Sequence, residues 1–231
     1  LIEPPCGSNV YIFDSGDNLL FIDSGFACFE DEMLSIFNDL IPDFKDKNKD
    51  IILTHTDMDH AGLVNLFDNV YVSESSYENF KLENEGKDNY RFQHPIHKPY
   101  FKIDKIITNY TPPKMDKVHM IGKRNDNLIF SKIGELNFED LCFEIFEGIA
   151  GHAEGEIIIV LEKLKIVFTG DIFVNIKGFS KDQEEFNLIA PYLMTSVNVD
   201  SEKAIISRKE VLNKFKDYLI CPGHGLWVVN K

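Results

Sequence analysis

Hydrophobic positions along the chain change period several times, and each change predicts an element. NVYIF at residues 9–13 and LLFID at 19–23 are short apolar runs separated by DSGDN, which predicts two strands joined by a tight turn. Apolar residues then recur at helical spacing, at Phe29, Met33, Ile36, Phe37, Leu40 and Ile41, and predict a helix over about 28–41. DIILT, residues 50–54, has the uninterrupted apolar centre of a strand buried on both faces. A helix near 61–67, a strand at VYVS and a helix around 74–84 follow. Residues 85–127 break the pattern with four prolines and weak periodicity, and read as an elaborated connection inside a single domain spanning 1–231. Strands resume at LCFEIFEG, EIIIVLE and KIVFTGD. Helices over about 183–194 and 201–216 then precede a strand at DYLIC and the closing PGHG.

Two of these stretches echo each other. SNVYIFDSGDNLLFIDSG and GEIIIVLEKLKIVFTGD each read strand, tight turn, strand, and each ends on an aspartate beside glycine. The echo is too short to count as a repeat, but it is compatible with two sheets built from similar halves. With helices outside both, that is a four-layer αββα sandwich of two mixed sheets, an α/β fold.

Composition narrows the functional classes. The 231 residues are 44% hydrophobic and 27% charged, a globular composition. Thirty-eight acidic against 24 basic residues leave a net charge of −14, which repels phosphate backbones and anionic membranes, so neither nucleic acid nor membrane is an expected partner. No apolar run is long enough for a membrane span. LIEPPCGSNV has neither the basic region nor the apolar core of a secretory signal, and its initial leucine suggests a preceding residue or segment. Cys6, Cys28, Cys142 and Cys221 are widely spaced with no CxxC pair, the pattern of reduced thiols in a cytoplasm.

The chemistry is concentrated in THTDMDHAG. His55, Asp57, Asp59 and His60 can converge only if the chain turns at the end of its strand, since 55, 57 and 59 share one face of an extended chain and 60 does not. Asp59 is also a plausible cap for the helix that follows. Farther along, His152 in GHAEG, Asp171 in TGD and His224 in PGHG stand at strand ends beside small residues, where side chains can meet around an ion. His94, His97 and His119 lie in the polar elaboration and read as surface histidines, HPIH included.

Taken in order, THTDMDHAG, GHAEG, TGD and PGHG resemble the HxHxDH and later motifs of the metallo-β-lactamase fold superfamily, over almost the whole chain. The resemblance implies a first metal held by His55, Asp57 and His152, a second by Asp59, His60 and His224, and Asp171 between them. It also implies a supporting role for Asp23, whose alternative is a plain turn residue in DSG. The cofactors it implies are two divalent ions, zinc first, with iron or manganese as alternatives. Asp59 would serve as ligand and proton acceptor in a metal-dependent hydrolase acting on an ester, thioester, lactone or phosphoester-type small molecule.

The departure from the motif is Asp57, where the superfamily usually has histidine. With two divalent ions, a shared hydroxide and three ionised aspartates the charges sum to zero, one less than with histidine. That weakens substrate polarisation and shifts preference toward harder ions. Flavodiiron proteins carry a carboxylate at the same slot, so a non-haem diiron redox or oxygen-binding protein is the second reading. No electron-donor module follows here, and GHAEGE resembles the hydrolase form. A metal-binding module without turnover is the third. Cysteine in place of Asp171 marks the clinical lactamases, and a tyrosine after that aspartate marks lactonases; here Phe173, Val174 and Asn175 follow. The tail looks too short for the glutathione-binding region of glyoxalase II relatives, and the acidic balance opposes an RNA-processing role. Lys177, Tyr90, Arg91 and Tyr100 read as solvated, loop or core residues and are not assigned to the site.

Overall fold

The computed structural model describes residues 1–4, 7–92, 97–185 and 197–230. Strands β1 (Tyr11–Asp14), β2 (Asn18–Ile22), β3 (Asn48–Ile52), β4 (Asn69–Val72) and β5 (Val118–Met120) form one sheet in that order; β1 is antiparallel and the rest are parallel. The second sheet contains β6 (Ser131–Phe138), β7 (Leu141–Glu147), β8 (Ile157–Leu161), β9 (Ile166–Gly170), β10 (Leu219–Pro222) and β11 (Val228–Val229), in the order β11-β10-β9-β8-β7-β6. Only its β9–β10 pair is parallel.

Strand alternation explains the layering. In β2, Leu20 and Ile22 enter the core between the sheets, while Leu19 and Phe21 enter the core beneath α1 (Glu30–Leu40). In β8, Ile157, Ile159 and Leu161 face the shared core, and Ile158 and Val160 meet Val211 and Phe215 of the C-terminal helix Ser201–Lys214 and the turn after it. Each central strand is therefore apolar on both faces, as DIILT suggested, and the expected four-layer α/β sandwich is what forms. Among the described residues no helix is long and apolar enough to cross a membrane.

Several expected elements change. The helical stripe of α1 is narrower than its sequence implies: Met33, Phe37 and the flanking Ile41 are buried, whereas Ile36 and Leu40 lie outward. The helix expected near 61–67 starts earlier and is a single turn, α2 (Met58–Ala61), followed by a 3₁₀ turn at Val64–Leu66. Helix α3 (Glu74–Asn84) falls where expected, capped by Ser73, whose hydroxyl accepts from the Ser76 N–H. The connection 85–127 holds a helix, α4 (His97–Ile107), and the edge strand β5, so it completes the first sheet instead of merely looping past it. Strand β6 was not expected; its polar outward positions and the register shift near Gly134 weaken the alternation. Most of the helix expected over 183–194 lies outside the described residues.

Phe21 anchors the outer core of the first sheet, with Phe37, Phe67 and Phe44 set edge-on at 5.3, 5.0 and 6.4 Å between ring centroids. Phe21→Ala is expected to cost about 3–5 kcal/mol of unfolding free energy, measured by denaturant titration.

Candidate metal centre

Two parallel strand pairs deliver the site. Asp23 follows β2 and His55 lies just beyond its partner β3; Asp171 follows β9 and His224 lies just beyond its partner β10. The echo noted in the sequence is thus an echo of position, since each half ends one strand with an aspartate. Backbone hydrogen bonds join the halves here: Ile157 N–H to the Thr54 carbonyl at 2.8 Å, Asn9 N–H to the Gly223 carbonyl at 2.6 Å. Gly223 has no room for a side chain, because a Cβ would lie 2.3 Å from Asp171 Oδ1 and 2.9 Å from His60 Cε1.

All seven side chains singled out for metal binding come together. His152 Nε2 lies 3.3 Å from Asp57 Oδ2, and His55 Nε2 lies 3.6 Å from it. On the other side, Asp59 Oδ2 lies 3.6 Å from His60 Nε2 and 3.1 Å from His224 Nε2. Asp171 faces both groups: Oδ1 is 3.3 Å from His60 and from His224, while Oδ2 is 3.5 Å from His152. Donors about 2.0–2.1 Å from one tetrahedral ion sit about 3.3 Å from one another, so these spacings are the edges of coordination polyhedra. Three sets close within ligand range: His55–Asp57–His152, His55–His60–Asp171 and Asp59–His60–His224.

Outer hydrogen bonds aim the donors. Asp23, at φ 58° just past β2, accepts from the Thr54 N–H and hydroxyl, each at 2.8 Å, and from His60 Nδ1 at 2.8 Å. Because the Thr54 hydroxyl donates to Asp23, it accepts from His55 Nδ1, 3.1 Å away. Asn198 Oδ1 takes His152 Nδ1 at 3.2 Å. Each of these imidazoles thereby carries its proton on Nδ1 and turns an Nε2 lone pair inward. His55, His60 and His152 Nε2, together with Asp171 Oδ1, are buried with no hydrogen-bond partner. Four orphaned polar atoms pointing at one spot are costly in a protein interior unless a cation takes them, and nitrogen and carboxylate oxygen donors suit a divalent ion.

The family model of the metallo-beta-lactamase superfamily matches residues 4–224. The chain belongs to the metallo-β-lactamase superfamily. No curated protein sequence matches it. Among solved structures it is similar to a metallo-beta-lactamase from Pontibacter korlensis, at 15% identity and TM-score 0.59, covering 96% of this chain and 82% of that one. It is also similar to TTHA1623 in a di-iron-bound form, at 19% identity and TM-score 0.54, covering 96% and 89%. Rubredoxin oxygen:oxidoreductase from Desulfovibrio gigas matches at 15% identity and TM-score 0.58, over 95% of this chain but 49% of the other. At these identities the likeness is one of fold.

Within this superfamily fold the histidines sit in a strongly anionic field. Burial would lower the His224 imidazole, but Asp171 and Asp59 outweigh it and push it up to about 10. Burial likewise opposes His60, which Asp59, Asp171 and Asp23 hold well above the ordinary histidine range. Only His55 is lowered, by burial and by neighbouring His60. The field reaches α4, where burial and then Asp59 and Asp57 raise the Asp104 carboxyl to about 6.

Two sequence expectations change at the site. Asp59 does not cap α2; the capping position belongs to Asp57, whose side chain makes no capping bond and turns to the site. Arg91, read as an ordinary loop residue, is buried against Asp57: Nε donates to Oδ1 at 3.0 Å, the terminal nitrogen to Oδ2, and Nη1 to the Val197 carbonyl at 2.9 Å. The Tyr90 ring stacks beneath the guanidinium, 5.0 Å away, with its hydroxyl 3.5 Å from Asp57 Oδ1. Burial raises the Asp57 carboxyl, yet Arg91, followed by the His152 and His55 imidazoles that face it, holds it well below the usual carboxylate range. Asp23 turns out to be both turn residue and site support. Lys177 is exposed, and His119 is exposed with Nε2 2.9 Å from Asn69 Oδ1. His94 and the His97 side chain lie outside the described residues.

Sequence reading also passed over Thr54, Asn198 and Glu156. GHAEGE contained the last signal: Glu156 accepts from the Gly151, His152 and Ala153 N–H groups at 2.8, 2.8 and 3.1 Å, shaping the loop that carries His152. Glu156→Ala strands three buried donors and is expected to destabilise the fold by about 3 kcal/mol, read by urea unfolding in the presence of chelator.

Proposed function

We propose that the protein is a binuclear metal-dependent hydrolase of small molecules. The observation that carries this reading is the shared Asp171 between two donor sets in which the inward nitrogens of His55, His60 and His152 have no hydrogen-bond partner. His55, Asp57 and His152 would hold one divalent ion and Asp59, His60 and His224 the other, with Asp171 serving both. Ions so held lower the pKa of a bound water and polarise a carbonyl or phosphoryl oxygen, which suits esters, thioesters, lactones and phosphoesters.

The chain's own residues set the orientation. Asp59 has the most exposed of the three carboxylates at 23%, against 18% for Asp57 and 13% for Asp171, so it faces the open side where substrate arrives. It is the group assigned to accept or orient a proton during hydrolysis. Two loops clasp each other beside His224: Asn175 N–H donates to the His224 carbonyl and Leu226 N–H to the Gly178 carbonyl, each at 3.0 Å. They carry Ile176, Leu226 and Trp227, all about half exposed or more. An apolar rim of this kind fits a substrate with a hydrophobic portion next to the bond that breaks.

Purified protein is expected to hold two equivalents of zinc, iron or manganese by elemental analysis. Chelation should abolish hydrolysis of ester, thioester, lactone and phosphodiester probes, and re-addition should restore it; activity that survives chelation overturns the mechanism. The carboxylate at Asp57 supports a second reading, a non-haem diiron redox protein. That reading requires iron, a visible iron-to-ligand band and oxygen uptake with a reductant, all absent from a colourless zinc protein. Metal without any turnover would instead mark a binding module. Trp227→Ala is expected to raise KM about tenfold on an apolar substrate while kcat stays within about twofold, the signature of lost uniform binding.

A further inference from the structure

The two donor sets differ in a way that follows from Arg91. Around Asp59, His60 and His224, the Asp59 and Asp171 carboxylates have only imidazoles as ion-pair partners among the described residues. Asp23 adds a third carboxylate, hydrogen-bonded to the back of His60. In the set His55, Asp57 and His152, the one carboxylate that belongs to that set alone is already paired with a guanidinium. Arg91 is itself buried and held on three sides, by Asp57, by the Val197 carbonyl and by the Tyr90 ring. The other charged groups in the small cavity beside this pair, Glu83 and Lys105, form an ion pair with each other and cancel.

We infer that Arg91 makes the two cation positions unequal, so that a divalent ion fills the Asp59–His60–His224 position first and the Asp57 position binds weakly and exchanges. The physical reason is that a dication entering the Asp57 position meets a carboxylate whose charge is already neutralised, with a fixed positive charge just behind it. A dication at the other position meets carboxylates that no guanidinium or ammonium group pairs among the described residues, only imidazoles that can themselves turn to the ion. Arg91 is in this sense a positioning residue that works through Asp57. Its geometry keeps Asp57 Oδ2 aimed at His55 and His152 while its charge reduces the pull of that oxygen on an ion.

The inference rests on the binuclear reading above, and the test separates the two. Metal-free protein is titrated with Zn²⁺ against a chromophoric chelator, and with Co²⁺ while the visible ligand-field bands are followed. Wild type is expected to show two affinity classes at least a hundredfold apart. His152→Ala should lose the weak class and keep the tight one; His224→Ala should lose the tight class. Arg91→Gln should tighten the weak class at least tenfold with the tight class unmoved, whereas Arg91→Lys, which keeps the charge, should leave it within about threefold. A purely structural role for Arg91 predicts the opposite sign, a looser weak class in Arg91→Gln. Equal affinities in wild type, loss of the tight class in His152→Ala, or a weak class unmoved or loosened by Arg91→Gln overturns the inference and leaves the binuclear site standing. Absence of any metal binding overturns both. Should Arg91→Gln not fold, the wild-type titration and the two histidine variants still decide the order of filling.

Discussion

Everything in this molecule depends on the cost of placing unpartnered polar atoms in a dry interior. His55, His60 and His152 turn their Nε2 atoms, and Asp171 an oxygen, into one buried space where none finds a hydrogen bond. Repulsion among Asp57, Asp59 and Asp171 adds to that cost. The fold tolerates the arrangement because these groups stand at the ends of strands that are apolar on both faces, so the packing of two cores holds them in place. A site with this charge is preorganised for cations and for little else.

The architecture reaches that site twice. Each sheet offers one pair of parallel strands with an aspartate after the first and a histidine after the second. The two pairs pack across the shared core, with backbone hydrogen bonds from Ile157 to Thr54 and from Asn9 to Gly223 joining the halves beside them. The first half contributes more, because its single-turn helix α2 compresses Asp57, Asp59 and His60 into one bend. Glycine at 223 lets the second half approach to within contact of His60. Within the first half, Asp23 accepts three hydrogen bonds that settle which nitrogen of His60, and through Thr54 of His55, faces inward.

Asp57 alters the balance of the site less than its charge suggests. A carboxylate with a buried arginine across its back has close to the net charge of an imidazole, yet it keeps an oxygen directed at the ion. The reading of a charge-depleted centre, drawn from the motif alone, therefore counted the aspartate and omitted its counter-ion. Both the hydrolytic and the diiron readings have to be weighed on this paired aspartate, because the guanidinium tempers the hard, anionic character that first suggested iron.

What could be read from the chain was whatever local pattern encodes. Apolar periodicity placed β1 to β4, α1, α3 and β7 to β10, and four short motifs at strand ends named the seven converging side chains. Those motifs were legible because histidine, aspartate and glycine in tight spacing at a strand end have few other physical uses. Strand β6, with a polar face and a register shift, and β5, only three residues long, were too faint for periodicity to detect. Arg91 left no local trace at all: it stands 34 residues from Asp57 in an irregular stretch, and nothing in its neighbours distinguishes it from a solvated arginine. Its role comes from α3, α4 and the Val197 loop closing around it, because charge compensation acts through space and is set by which segments pack together. The sequence alone determined which atoms could hold a metal; tertiary packing decided how their charges are balanced.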